Sequence, residues 1–370
     1  MSFEQSGPPD RRIDWLDYAR FICALAVVFF HYLSRGRRDY IPLVPDYGWV
    51  EEIARYGYLG VDFFFIVSGF VIMMSVGERK PSEFAAARIL RLYPAYLFAL
   101  VLTGIILALL QDPRFPVTLT QWLVNLTMVS TLVGVRAVDG VYWTLALEVV
   151  FYAAVCLLLL AGLRNRLEQC AVVWLGLQLI VRIFDYHIPL FDQYYMLFCA
   201  GCLLYFGCTR GWTVPRIAAT ALSLGMNIED AIRRARQTVE ATGEEALDPL
   251  VLAVIITSFF LAFIVLSRAR LSLPYAKTIG SVTYPLYLIH QYLGYLLIGF
   301  LAHYVRPGIA IVLTVMAMIA SALFIAQVVE QQPRAFWRRC SELAVIPLRW
   351  FEQAAVRIGP QWLFGHLKKA

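Results

Sequence analysis

The sequence predicts an all-α protein, a polytopic bundle of about ten transmembrane helices. Hydrophobic residues make up 60% of the 370 and charged residues only 16%, whereas a soluble domain carries roughly a quarter charged residues. The apolar residues gather into repeated uncharged runs close to bilayer length, about 20 residues each. Arginines and lysines flank these runs, as they do at membrane surfaces.

In chain order the runs fall at 15–33, 57–77, 92–111, 143–162, 170–186, 193–209, 212–227, 250–267, 279–302 and 308–330. The first follows Arg11 and Arg12, but it contains His31 and shows no small-residue cleavage pattern before Ser34. It reads as a retained helix, not a signal peptide. The seventh is the exception, because Ile217 to Met226 would reach only about 15 Å as helix, half the hydrocarbon thickness. A polar stretch, 227–249, follows it with Glu229, Asp230, Arg233, Arg234, Arg236, Glu240, Glu244 and Glu245. Ile228, Ile232, Ala235 and Val239 still share one helical stripe there.

Residues 1–332 therefore read as one transmembrane domain and 333–370 as a basic, aromatic tail. The tail combines Arg338, Arg339, Arg349, Lys368 and Lys369 with Trp337, Trp350 and Trp362, which suits an interfacial segment on the anionic cytoplasmic leaflet. An even number of spans, with the basic residues concentrated on the side of both termini, predicts that both termini are cytoplasmic. The net charge of +6 is assigned to membrane orientation, and no nucleic-acid partner is expected. Seven cysteines fall mostly within or beside apolar runs and give no disulfide framework. Cys199 and Cys202 form a CxxC, but with no second pair nearby the spacing favours close helix packing over metal, and no metal site is expected.

Ionisable groups inside spans are costly, so they face a bundle interior or a functional cavity. Arg20 and His31 are eleven residues apart, three turns plus about 20°, which puts both on one face of the first helix roughly 16 Å apart. Asp17 joins that face at i,i+3 from Arg20. Asp62 falls in the outer third of the second span, with Ser68 and Gly69 mid-membrane. Glu148 enters one to two turns below the outer surface in the fourth span, at a depth similar to His31 and Asp62. Carboxylates beside a histidine are what orienting a general base requires, although a lone membrane histidine more often packs or bonds another helix. At the opposite surface Arg88 and Arg91 precede Pro94 as i,i+3 neighbours. Such a pair suits phosphate oxygens and equally suits anchoring the helix.

Together these residues resemble the bacterial acyltransferase-three family of integral membrane O-acyltransferases, from about Arg12 to Arg334. The arginine–ten residues–histidine spacing is met by Arg20 and His31, and the Gly-Val-x-x-Phe-Phe-x-x-Ser-Gly-Phe pattern by Gly60 to Phe70. Arg88 and Arg91 match the arginines after the second span. Trp143, Leu145 and Glu148 form the Trp-x-Leu-x-x-Glu pattern, and Val282 to His290, with Thr283, Tyr284, Leu286 and Tyr287, nearly meets the late Ser-Tyr-x-Leu-Tyr-x-x-His pattern. Glu330 and Pro333 resemble the closing pattern, whereas 227–249 departs from the family's usual apolar helix.

The resemblance implies an inner-membrane enzyme that takes an acyl group, expected to be acetyl, from cytoplasmic acyl-CoA (acetyl-CoA) to a sugar hydroxyl of an exported polysaccharide or lipid-linked glycan. It implies His31 and Arg20 as the essential pair, with His31 activating the acceptor or handling the acyl group and with Glu148 and Asp62 in support. Arg88 and Arg91, with Ser68 and Tyr284, are expected along the donor. Acyl-CoA is a co-substrate, and no cofactor is expected to stay bound. Some relatives carry an SGNH-type esterase domain that is not found here, so a periplasmic or polysaccharide-synthesis partner is expected as a separate protein. A transporter or flippase for a glycan or anionic solute is the alternative, since buried charge on one helix face also marks a translocation path. Against it, the ionisable groups do not repeat in two symmetric halves. A non-catalytic scaffold leaves the burial of Arg20, His31 and Glu148 unexplained.

Overall fold

The computed structural model describes residues 13–358 apart from Asp185, His187, Pro189, Leu190, Asp192, Gln193, Glu244 and Arg270. Arg11, Arg12, Glu244, Trp362, Lys368 and Lys369 therefore lie outside the described residues. Among the described residues every regular element is helical. The chain opens with α1 (Asp14–Phe29), widens into a π-helical turn, Phe30–Arg35, and closes with α2 (Gly36–Asp39). Helix α3 (Trp49–Ala54) runs through a 3-10 turn into α4 (Leu59–Val76), followed by α5 (Pro81–Leu110), α6 (Leu119–Asn125) and α7 (Trp143–Leu160). Next come α8 (Leu167–Ile183), α9 (Tyr195–Arg210), α10 (Val214–Thr242), α11 (Pro249–Leu266), α12 (Ala276–Ile289) and α13 (Tyr292–Leu301). Helix α14 (Pro307–Phe324) ends in a second π segment, Ile325–Gln331, before α15 (Arg334–Ala344) and α16 (Ile346–Ile358).

Each of the ten predicted runs overlaps an α-helix, the ninth overlapping two. Among the described residues six stretches are long and apolar enough to cross a membrane: Asp14–Asp39, Trp49–Val76, Pro81–Leu110, Gly140–Leu160, Pro249–Leu266 and Pro307–Gln331. Helices α9 and α13 are shorter apolar helices. The protein is an all-α membrane bundle. In lipid there is no water to expel from between helices, so close backbone approach and buried polar bonds must hold it together. The tightest seam joins α4 to α9. A Cβ on Gly201 would lie 2.0 Å from Ile66 O, and one on Gly69 would lie 2.1 Å from Phe198 O. Only glycine allows that approach. The CxxC lies along this helix, with the Cys202 thiol toward Gly69 O and the Cys199 thiol toward Ala171 O on α8.

Two runs take a form that hydropathy does not report. Run seven and the polar stretch after it are one helix: α10 is 29 residues long, about 43 Å at 1.5 Å per residue. Its buried face mixes Ser223, Asn227, Asp230 and Arg234 with Met226, Ala231 and Ala235, while Ile228, Ile232 and Val239 are half-buried beside it. Asp230 meets Arg182 of α8 at 3.0 Å, and Arg234 pairs with Asp62 of α4. Run nine is instead broken into α12 and α13 at His290 and Gln291, a break a membrane protein tolerates where the backbone lines a cavity.

The contacts sort consistently to two ends. At one, Tyr18 donates to Pro274 O at 2.5 Å and Arg210 and Arg216 hold Glu168 at 2.9 and 2.6 Å. At the other, Arg55 bonds Glu245 O and Arg136 donates to Tyr292 at 3.3 Å. Helices α15 and α16 lie against α5. Glu352 of α16 accepts from Ser82 N at 2.6 Å and from Ser82 Oγ at 2.7 Å, so a carboxylate caps the free N–H groups at the start of α5.

Candidate active site

Two cavities within the bundle share part of their lining. The inner one, about 120 Å³, is lined by Arg20 of α1, Ser68 of α4, Arg88 and Arg91 of α5, Glu148 and Tyr152 of α7, and Tyr284 of α12. The outer one, about 400 Å³, is lined by His31, Tyr58, Asp62, Trp143, Tyr194, Arg234 and Gln291. Val61 and Tyr287 line both. Tyr287 is fixed in this partition, with its hydroxyl 3.0 Å from Thr144 Oγ1 and its ring edge-on to Phe64.

In the inner cavity the arginines are held by rings. The Arg88 guanidinium sits 5.8 Å from the Phe84 ring and 5.9 Å from the Tyr152 ring, and Arg91 lies 5.4 Å from the Tyr284 ring. Such stacking orients the fork while leaving N–H groups for anionic oxygens. Glu148 accepts from Ser68 Oγ at 2.8 Å and from the Tyr152 hydroxyl. Arg20 reaches Asp17 at 4.0 Å.

His31 occupies the π-helical turn, a distortion frequent at functional sites. Its Nδ1 lies 2.9 Å from Val27 O and 3.1 Å from His290 Nε2, and His290 Nδ1 lies 2.8 Å from Tyr287 O. Carbonyl oxygens only accept, so both Nδ1 atoms must carry hydrogens. Two neutral imidazoles satisfy all three contacts. His290 Nε2 then accepts from His31 Nδ1, and His31 Nε2 keeps its lone pair.

The structure thus brings Arg20, Ser68, Arg88, Arg91, Glu148 and Tyr284 together, and separates them from His31 and Asp62. The structure sets Asp62 in the cavity that His31 lines and Glu148 in the other one. Similar depth did not mean one site, because the two carboxylates face different cavities and are occupied, Glu148 by Ser68 and Tyr152, and Asp62 by Arg234. The partner that orients His31 is a second histidine. In the sequence His290 stands at the end of a motif, Arg234 within the polar stretch 227–249, and Tyr152 in no motif. A second membrane histidine one turn after Tyr287 was the available signal for His290, and the i,i+4 spacing from Glu148 was the signal for Tyr152.

The family comparison bears on the whole of this arrangement. The sequence model of an acyltransferase domain matches residues 13–326, from the start of α1 into the second π segment. The chain belongs to the acyltransferase-three family. The chain is also 36% identical over 102 residues to a Rhizobium radiobacter protein described as "Protein 2 in picA locus", covering 26% of this chain and 46% of that protein. The chain therefore spans about half the length of this curated relative. No solved structure is significantly similar. The chain is a multi-pass membrane protein, and both cavities fall within the matched domain.

Proposed function

We propose that this acyltransferase transfers a short acyl group, acetyl, from acyl-CoA on the cytoplasmic side of a bacterial inner membrane to a hydroxyl of an exported polysaccharide or lipid-linked glycan. The observation that carries the reading is the meeting of the two cavities at Val61 and Tyr287, with stacked arginines on one side and the free Nε2 of His31 on the other. Arg88 and Arg91 are suited to the CoA phosphates, and the narrow inner cavity to an extended pantetheine arm. The thioester would reach the partition, and the acceptor would enter the outer cavity.

His31 Nε2 takes the proton of the acceptor hydroxyl as its oxygen attacks the thioester carbonyl carbon. The tetrahedral intermediate collapses with cleavage of the C–S bond, and the CoA sulfur leaves with the proton from His31. His290 Nε2 accepts from Nδ1–H throughout, and that bond strengthens while His31 is charged. The family assignment weighs against the transport alternative.

The test is acyl transfer by protein in lipid nanodiscs, using radiolabelled acetyl-CoA and a crude surface-glycan acceptor. Wild type should label the glycan, and His31→Ala and His31→Gln should not, while both bind CoA normally. Substantial transfer by His31→Ala would remove the histidine from the chemistry.

A further inference from the structure

The feature that neither the family patterns nor the proposed reaction absorbs is the polar face of α10. It delivers Arg234 into the outer cavity, the one His31 lines. Arg234 is 8% exposed. Asp62 takes its Nη2, and the Tyr194 ring lies under the guanidinium at 4.6 Å. Its Nε and Nη1 are buried and have no hydrogen-bond partner among the described residues. Buried guanidinium donors left unmade are costly, and a charged donor gains most from an anionic acceptor.

The surroundings favour an anion. Arg35, Arg38 and Arg55 also line this cavity, so its wall is rich in guanidinium groups, with Asp39, Asp62 and Glu245 among them. Arg55 is tied to Glu52 and Glu245, and Arg35 lies 4.0 Å from Asp39. Trp143 and Tyr194, with ring centroids 4.8 Å apart, supply an aromatic wall of the kind a sugar ring lies against. One occupant satisfies donors, charge and wall together.

We propose that Arg234, held by Asp62 and Tyr194, forms a subsite for an anionic group of the acceptor glycan, a carboxylate or a phosphate near the hydroxyl that is acylated. This rests on the acyl-transfer reading above. It makes α10 the element that selects the acceptor, and it gives Asp62 a positioning role through Arg234.

The experiment uses full-length protein in nanodiscs with labelled acetyl-CoA and three glycan preparations: the native extract, the same extract with carboxylates reduced, and the same extract dephosphorylated. Wild type should label the native extract and lose efficiency on one of the two treated extracts, which identifies the source of the charge. Arg234→Gln should raise the acceptor KM about ten- to a hundredfold on the native extract and show no further loss on the treated one. Arg234→Lys should recover part of that loss. Because Arg234→Gln leaves Asp62 buried and unpaired, the double variant Asp62→Asn/Arg234→Gln is assayed alongside it, and CoA affinity equal to wild type shows that the bundle is folded. If wild type accepts both treated extracts as well as the native one, or if the folded variants keep the wild-type acceptor KM, the subsite is refuted while acyl transfer stands. If wild type labels no extract, the acyl-transfer reading fails and the subsite with it.

Discussion

Replacing His290 with phenylalanine removes the side-chain acceptor on His31 Nδ1 and leaves Val27 O in place at 2.9 Å. The remaining carbonyl still holds the hydrogen on Nδ1, so His31 Nε2 stays available and activity should fall without vanishing. In the resting enzyme the lost bond joins two neutral imidazoles and is worth about 0.5–1.5 kcal/mol net. In the transition state its donor is charged, which raises the loss to roughly 1.5–3 kcal/mol. Only the difference, about 1–2 kcal/mol, appears in kcat, a reduction of roughly five- to thirtyfold. His290→Gln, whose amide oxygen can accept, should lie between Phe and wild type. The assay is steady-state transfer from labelled acetyl-CoA in nanodiscs, with the donor KM expected to be unchanged. A kcat for His290→Phe within twofold of wild type, at normal CoA affinity, would show that the 3.1 Å contact does not act on His31. A loss as complete as that of His31→Ala would mean that His290 itself meets the substrate.

Arg88→Ala and Arg91→Ala should each weaken CoA binding about ten- to a hundredfold, and unchanged affinity by calorimetry would leave both as anchors. Gly201→Ala should lower the thermal midpoint through overpacking of about 1–3 kcal/mol or more, whereas Gly225→Ala, with nothing within 4 Å of the added methyl, should not. The hydrogen bond from Arg216 holds the Glu168 carboxyl below its ordinary value of 4.5. Its contribution to stability is therefore complete above that value and lost as pH falls through the depressed one. Glu168→Gln should melt slightly earlier than wild type at pH 7, and the gap should close in acid. Reporter fusions at both termini should read cytoplasmic, and a C-terminal reporter active only in the periplasm would overturn that topology.

Hydropathy located the helices because lipid-facing length and apolar composition are what it measures. The same measure missed the extent of α10, since that helix turns polar residues toward α8, α9 and α4 beside the apolar residues Met226, Ala231 and Ala235 that it buries in the core. It merged α12 and α13 because the break is made by two residues, His290 and Gln291, inside an otherwise apolar run. Motif spacing brought out the residues of both cavities but not which cavity each one faces. His31 meets a partner 259 residues away, and Asp62 one 172 residues away. Depth estimates along separate helices fix height in the membrane and leave rotation about the axis undetermined.

That rotation matters most at the π-helical turn of the first span. A wide turn holds one residue more than an α-helical turn would, so everything beyond it is out of phase by about 100° with the helix before it. The extra residue thus sets Arg20 against Arg35 and Arg38 within one span. Deleting one residue from Tyr32 to Ser34 would let the span run as uninterrupted α-helix, closing the wide turn that holds His31 while Arg20, Arg35 and Arg38 keep the faces they occupy. One helix thus serves two cavities, its first half presenting Arg20 to one and the wide turn and the segment beyond presenting His31, Arg35 and Arg38 to the other.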